Sequence, residues 1–229
     1  MEGPAHLYLP GEKGLALLAG LSGVKTEAAN RYLGFPVRPG QFRTQVEHHR
    51  ITADFMLRLF SEGSLSAWDF IASRFVFSKL RAPSRPEIRK LVILPDSSGM
   101  LSLEGGKRSL FWLEVDRGTR KGRRLDAKLE KYFLAYYAWL SWAPIPPLLY
   151  LIETFDERDE ARLQEIVRRL EKQGRKHPGT PLTVFVTTGD LLRRSIGLLA
   201  DARIWRRFQC ETYHPDVLSL RALFEGNLS

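Results

Sequence analysis

Residues 91–119 decide the fold of this chain, and they read LVILPDSSGMLSLEGGKRSLFWLEVDRGT. Apolar runs alternate with turn residues, in the order 91–94 (apolar), 97–99 (turn), 100–103 (apolar), 105–106 (turn) and 110–115 (apolar). Short apolar runs between such turns are typical of antiparallel strands. The stretch therefore predicts a β-meander, with Asp96 at the end of one strand and Glu114 and Asp116 near the end of a neighbouring one.

The three carboxylates of this stretch predict a metal site. Glu114 and Asp116 are two positions apart, so they point to the same face of their strand. Asp96 would meet them at the strand ends, and oxygen ligands suit Mg²⁺ and Mn²⁺, the ions used in phosphate chemistry. The alternatives are structural: Asp96 is also an ordinary turn residue, and Glu114 could pair with a nearby arginine.

The charge of the chain favours a polyanionic partner. The sequence has 229 residues, 44% of them hydrophobic, and a formal net charge of +9. This length fits one domain or one and a half, with a substantial core. The excess of basic residues favours nucleic acid before a membrane surface. A solvated basic surface without a ligand is the alternative.

Cysteine usage and hydropathy predict a cytoplasmic protein. Cys210 is the only cysteine, which excludes an intrachain disulfide and a zinc finger. Residues 1–10 do not resemble a signal peptide, and no apolar run reaches transmembrane length. We therefore expect no association with a membrane.

The remaining pattern predicts an α/β or α+β domain with a mixed central sheet flanked by helices. Apolar residues at helical spacing predict helices at 15–21, 45–60, 125–140 and 156–172, the last with Asp156 as its N-cap. Further strands are predicted at 68–77, 148–152, 182–186 and 204–208, and a basic loop with two prolines at 82–89.

One helix could bring a base and a phenol to the carboxylates. Lys128 and Tyr132 are four positions apart and share a helix face. A lysine can orient water or stabilise phosphate charge, and a histidine from the helix containing His48 and His49 can add a metal ligand. The alternatives are a solvated Lys128 and a histidine in a polar niche.

The chain resembles the replication-relaxation family of bacterial plasmids and integrative elements. The segments that carry the resemblance are FWLEVDRGT at 111–119, KLEKY at 128–132, LYLIET at 149–154, TVFVTT at 183–188, IW at 204–205 and VEHHR at 46–50. The resemblance covers roughly residues 7–208. It implies a DNA-processing role in the replication of mobile elements, in the bacterial cytoplasm. Since residues 7–14 resemble the end of the family's winged-helix domain, residues 1–40 are interpreted as an N-terminal extension and 41–229 as a nuclease-like domain.

The same segments are similar, more distantly, to the PD-(D/E)-x-K nucleases, which have a restriction-endonuclease-like core. This similarity implies that His49, Asp96 and Glu114 are metal ligands and that Tyr132 matches the helix tyrosine. Asp116 stands where the motif has lysine, and Lys128 would replace that lysine from the helix.

Three functions are compatible with these patterns. The first is a Mg²⁺- or Mn²⁺-dependent DNA endonuclease in which Asp96, Glu114, Asp116 and Lys128 act catalytically. Its basic segments at 79–90 and 117–124 would contact phosphates, the latter through Arg117, Arg120, Lys121, Arg123 and Arg124. The second is a non-catalytic DNA-binding replication or copy-control protein with the same fold. The third is a protein-interaction module, either a homodimer through the aromatic residues of 132–142 or a partner of other replication or transfer proteins.

Overall fold

The computed structural model describes residues 39–69, 75–82, 85–102, 106–137, 145–154, 158–180, 182–209 and 212–222. The chain divides into two compact units, Met1–Glu47 and His48–Ser229. The described part of the first unit is the start of helix α1. Within the described ranges, no helix is long and apolar enough to cross a membrane.

Four helices and nine strands make up the described part of the chain. The helices are α1 (Pro39–Ser61), α2 (Gly122–Tyr136), α3 (Asp159–Lys176) and α4 (Gly189–Arg194). The strands are β1 (Leu65–Asp69), β2 (Phe75–Ala82), β3 (Arg85–Ile93), β4 (Ser97–Ser102), β5 (Arg108–Asp116), β6 (Leu148–Ile152), β7 (Val184–Thr188), β8 (Trp205–Gln209) and β9 (Thr212–Leu218).

Seven strands form one mixed sheet in the order β1-β4-β5-β6-β7-β8-β9, and β2 and β3 form a separate two-stranded sheet. Neighbouring strands from β5 to β7 are parallel, and the other neighbours are antiparallel. Helix α2 connects β5 to β6, and α3 connects β6 to β7, as parallel pairing requires. The predicted α/β class, a mixed sheet flanked by helices, is confirmed.

The sheet is buried on both faces, which explains the continuous apolar runs of its central strands. In β6, Leu148, Tyr150 and Ile152 pack into one cluster with residues of α2 and α3. Leu149 and Leu151, which point to the opposite face, pack into a second cluster with residues of α1. Side chains at 112, 114 and 116 of β5 therefore face α2 and α3, since Trp112 belongs to the first cluster.

Most of the predicted elements are confirmed with shifts of a few residues. They are α1, α2, α3, β5, β6, β7 and β8. Helix α3 begins at Asp159 with Arg158 at its N-cap, so the N-cap prediction for Asp156 was wrong; residues 155–157 lie outside the described ranges. The predicted helix at 15–21 and the end of the predicted helix at 138–140 also lie outside them.

The predicted meander is confirmed only in its second half. Strand β4 pairs antiparallel with β5, as predicted, but its other neighbour is β1, and among the described residues β3 pairs with β2 instead. The turn predicted at 97–99 is the start of β4. Gly99 is required there by packing, because a Cβ atom would lie 2.8 Å from Cζ of Phe111 and 2.9 Å from Cδ1 of Leu65. The sequence pattern cannot distinguish this use of glycine from a turn.

Two further predictions around the hairpin were wrong. Residues 68–77 are not one strand, because β1 ends at Asp69 and β2 begins at Phe75 in a different sheet; residues 70–74 lie outside the described ranges. The segment predicted as a loop at 82–89 contains most of β3. Pro86 is tolerated in β3 because both strands of a two-stranded sheet are edge strands; Pro83 lies outside the described ranges. Strand β9, which contains Pro215 at the sheet edge, was not predicted.

Candidate functional site

Asp96 is held against β5 by backbone hydrogen bonds. Its amide donates to the carbonyl oxygen of Leu113 at 2.9 Å, and its Oδ2 accepts from the amide of Val115 at 2.8 Å. The residue therefore precedes β4 and does not end a strand that neighbours β5. The predicted proximity of Asp96 to Glu114 is confirmed, although the predicted strand order was wrong.

Glu114 lies at the centre of a polar cluster. Its side chain is 1% exposed, and its carboxylate accepts hydrogen bonds from the ammonium of Lys128 and the hydroxyl of Tyr132. Both donors come from the face of α2 that covers β5. Lys128 Nζ also lies 4.0 Å from Oδ2 of Asp96. One ammonium thus contacts both carboxyl groups. We call Asp96 and Glu114 the carboxylate pair.

The carboxylate pair shares its charge unequally. Burial, together with the charge of Asp96, raises the pKa of Glu114 to about 8. Burial would also raise the pKa of Asp96, but Lys128 and a hydrogen bond from His48 hold that pKa well below its usual range. Burial and Glu114 raise the pKa of Tyr132 well above its ordinary value, so Tyr132 remains a hydrogen-bond donor. Asp96 is therefore ionised at neutral pH, whereas Glu114 loses its proton only near pH 8.

The histidine that contacts the carboxylate pair is His48. Its Nε2 lies 3.0 Å from Oδ1 of Asp96. His49, the predicted metal ligand, is exposed, with its ring centroid 5.9 Å from that of His48. Partial desolvation of its ring and the neighbouring His48 lower the pKa of His49. Helical periodicity could have selected His48, because it lies four residues before the buried Thr52 and seven before Phe55.

Asp116 occupies a second buried cluster. Its carboxylate accepts from the guanidinium of Arg162 on α3 and, at 2.7 Å, from the hydroxyl of Tyr150 on β6. The structure thus brings together Asp96, Glu114, Lys128 and Tyr132 but ties Asp116 to a different cation. Sequence reasoning missed Tyr150 and Arg162. The signal for Arg162 was a charged residue beside the buried Leu163 in an amphipathic helix.

A basic cavity opens above Glu114. The cavity, about 350 Å³ in volume, is lined by Glu114, Lys128 and Tyr132 and by the basic residues Arg120, Arg124 and Lys131. Of the predicted phosphate-binding residues, Arg120, Lys121, Arg123 and Arg124 are exposed, whereas Arg117 is buried. We call residues 117–124, the loop before α2 together with the first turn of that helix, the basic loop. It places positive charge at the mouth of a cavity whose floor is a carboxylate.

The carboxylate pair fits a hard divalent cation. Asp96 and Glu114 offer oxygen ligands, and the ammonium of Lys128 between them shows that this position accepts positive charge. Among the residues that the structure describes, no group of three or more His, Cys, Asp or Glu side chains is arranged to hold a metal ion. Any protein ligand of the metal ion beyond Asp96 and Glu114 would therefore be an oxygen atom of another residue type, or a side chain that moves when the metal binds.

No family model matches the chain, and neither the curated proteins nor the solved structures give a match. The resemblance to the replication-relaxation family stays a prediction.

Proposed function

We propose that this protein is a DNA-processing factor of mobile-element replication and that it acts as a metal-dependent endonuclease with a PD-(D/E)-x-K-like site. One observation carries the proposal. Glu114 is buried, shares Lys128 with Asp96, and lines a cavity together with Lys128, Arg120 and Arg124. Carboxylates beside a lysine and phosphate-binding arginines are the set that hydrolysis of a phosphodiester requires.

The order of elements supports a restriction-endonuclease-like core. A helix (α1) is followed in the main sheet by three antiparallel neighbours (β1, β4 and β5), a crossover helix (α2) and a parallel strand (β6). This order agrees with the core that the nuclease resemblance implies. The β2–β3 hairpin is then an insertion between β1 and β4.

Each side chain of the site has a proposed role. Asp96 and Glu114 would hold Mg²⁺ or Mn²⁺, which when bound supplies positive charge at the phosphate. Lys128 takes the place of the motif lysine, since its ammonium reaches the carboxylates from α2. Tyr132 fixes the orientation of Glu114, and His48 does the same for Asp96. Arg120 and Arg124 bind the phosphate groups of the DNA backbone.

Cleavage of supercoiled plasmid in Mg²⁺ or Mn²⁺ tests the proposal. We expect Asp96→Asn and Glu114→Gln to lower nicking by at least about a hundredfold while the affinity for DNA changes little. Asp201→Asn is the matched control, because Asp201 is an exposed carboxylate that pairs with Arg221 outside the site. Nicking that survives in both site variants would show that the carboxylate pair is not the active centre.

A different result would favour the second function. If the wild-type protein binds DNA in a salt-dependent manner and cleaves it in neither metal, the protein is a non-catalytic DNA-binding replication or copy-control protein. The observation in favour of that reading is Asp116, because a carboxylate stands at the position of the motif lysine and is paired with Arg162.

A further inference from the structure

The pair formed by Asp116 and Arg162 is almost fully enclosed. Their side chains are 6% and 5% exposed. Nη2 of Arg162 lies 2.9 Å and 3.1 Å from the two carboxylate oxygens of Asp116, and Nε lies 3.3 Å from Oδ1. Such an arrangement uses the planar fork of the guanidinium, which a lysine cannot reproduce.

The same two side chains also bind the backbone of the basic loop. Nη2 of Arg162 donates to the carbonyl oxygen of Arg120 at 2.6 Å. Oδ1 of Asp116 accepts from the amide of Gly118 at 2.6 Å. Residues 116–120 are therefore fixed at both ends by one ion pair, and Gly118 takes the left-handed conformation that this turn needs, with φ of 72°.

A second arginine of α3 repeats this contact two turns later in the helix. Nη1 of Arg169 donates to the carbonyl oxygen of Gly122 at 3.2 Å and to Oδ1 of Asp126 at 2.5 Å. Glu165 accepts hydrogen bonds from both Arg162 and Arg169, so its carboxylate bridges the two guanidiniums. The backbone of the basic loop thus rests on α3, while the side chains of Arg120 and Arg124 line the cavity above Glu114.

We propose that Arg162 is a positioning residue that, with Asp116, holds the basic loop where its arginines meet the DNA phosphates. The aspartate at the position of the motif lysine is then the anchor of a phosphate-binding loop and not a sign of a lost site. This inference rests on the proposed function. A buried ion pair that only stabilises the fold is the competing explanation, and it predicts no effect on the number of phosphate contacts.

The salt dependence of DNA binding separates these explanations. The probe is a 20-bp duplex, titrated at several NaCl concentrations with EDTA present so that no cleavage occurs. Arg162→Lys keeps the charge, but a single ammonium cannot bridge both Asp116 and the carbonyl of Arg120 in this way. Arg168→Lys is the matched control, an identical change at an exposed position of the same helix.

We expect Arg162→Lys to weaken binding at low salt by about tenfold and to reduce the slope of log K against log[salt] by roughly 2, one phosphate contact each for Arg120 and Arg124. Arg168→Lys should keep the wild-type slope. Adding Arg120→Ala to Arg162→Lys should weaken binding less than Arg120→Ala does in the wild-type background, because both changes act through one loop.

Gly118→Ala is a second variant, which leaves both side chains of the ion pair in place. It forces a β-carbon into a positive-φ position beside Thr154, with Cγ2 at 3.4 Å, and should lower the slope in the same direction. An unchanged slope in folded Arg162→Lys and Gly118→Ala would overturn the inference and leave the proposed function standing. Wild-type protein that binds the duplex without salt dependence would overturn both.

Discussion

At the scale of the residue, Glu114 shows how a charged group is kept in the interior. Its carboxylate is buried, and its neighbours supply one ammonium and one hydroxyl. Removing a partner from such a buried group lowers the stability of the fold, because no water molecule can replace the lost partner.

Lys128→Met is therefore expected to lower the free energy of unfolding by roughly 3 kcal/mol. The loss is limited because Glu114, with a pKa of about 8, is mostly protonated at pH 7, so the charge left behind is that of the partly exposed Asp96. Lys131→Met on the exposed side of α2 should change stability by less than about 0.5 kcal/mol. Urea unfolding at pH 7 measures both. A wild-type midpoint for Lys128→Met would mean that the ammonium does not stabilise Glu114.

The raised pKa of Glu114 predicts a pH dependence of stability. The folded protein holds a proton on Glu114 up to about pH 8, whereas the unfolded chain loses it near the ordinary glutamate pKa of 4.5. Since the folded state binds more protons in this window, stability falls as pH rises through it. We expect the wild type to lose several kcal/mol relative to Glu114→Gln between pH 5 and pH 8. Urea unfolding at pH 5, 6.5 and 8 would contradict this if the difference stayed constant.

Sequence reasoning reached most of the candidate site at this scale. Asp96, Glu114, Lys128 and Tyr132 were predicted to converge, and the structure brings them together. Glu114 and Asp116 were predicted to share a face, which follows from the two-residue period of a strand. Their different partners could not be predicted, because Arg162 lies 46 residues beyond Asp116 and reaches it only through the crossover to α3.

At the scale of the element, β4 is placed by its packing more than by its own pattern. Its sequence, SSGMLS, has few strong strand formers, yet all six of its residues pair with β5. Gly99 allows the close approach of Phe111 and Leu65. The strand that positions Asp96 thus depends on the absence of one side chain.

Gly99→Ala is expected to destabilise the protein by about 1–3 kcal/mol, because the added methyl group overlaps the ring of Phe111. Ser102→Ala, at the partly exposed end of the same strand, should have a much smaller effect. Thermal unfolding followed by circular dichroism compares the two. Equal stability of Gly99→Ala and wild type would show that the neighbours of Gly99 move at little cost.

At the scale of the molecule, one sheet separates two apolar clusters. Adjacent residues of β6 point into different clusters, Leu148 with α2 and α3 and Leu149 with α1. Because the clusters share the strands from β5 to β8, loss of packing on one face removes support for the other.

Leu148→Ala and Leu149→Ala should each lower the free energy of unfolding by about 2–5 kcal/mol, since both side chains are fully buried. Each variant should still unfold in one transition, with tryptophan fluorescence and circular dichroism changing together. Two separate transitions in either variant would show that the faces of the sheet unfold independently.

The sequence by itself determined the local features of this protein. Periodicity located α1 to α3 and β5 to β8, and it set Glu114 and Asp116 on one face. These features follow from the geometry of single helices and strands. The tertiary structure decided the order of strands around β4, the separation of the β2–β3 hairpin and the partner of each carboxylate. Those outcomes depend on which surfaces pack together across the sheet. The sequence pattern of one segment does not identify the segment that packs against it.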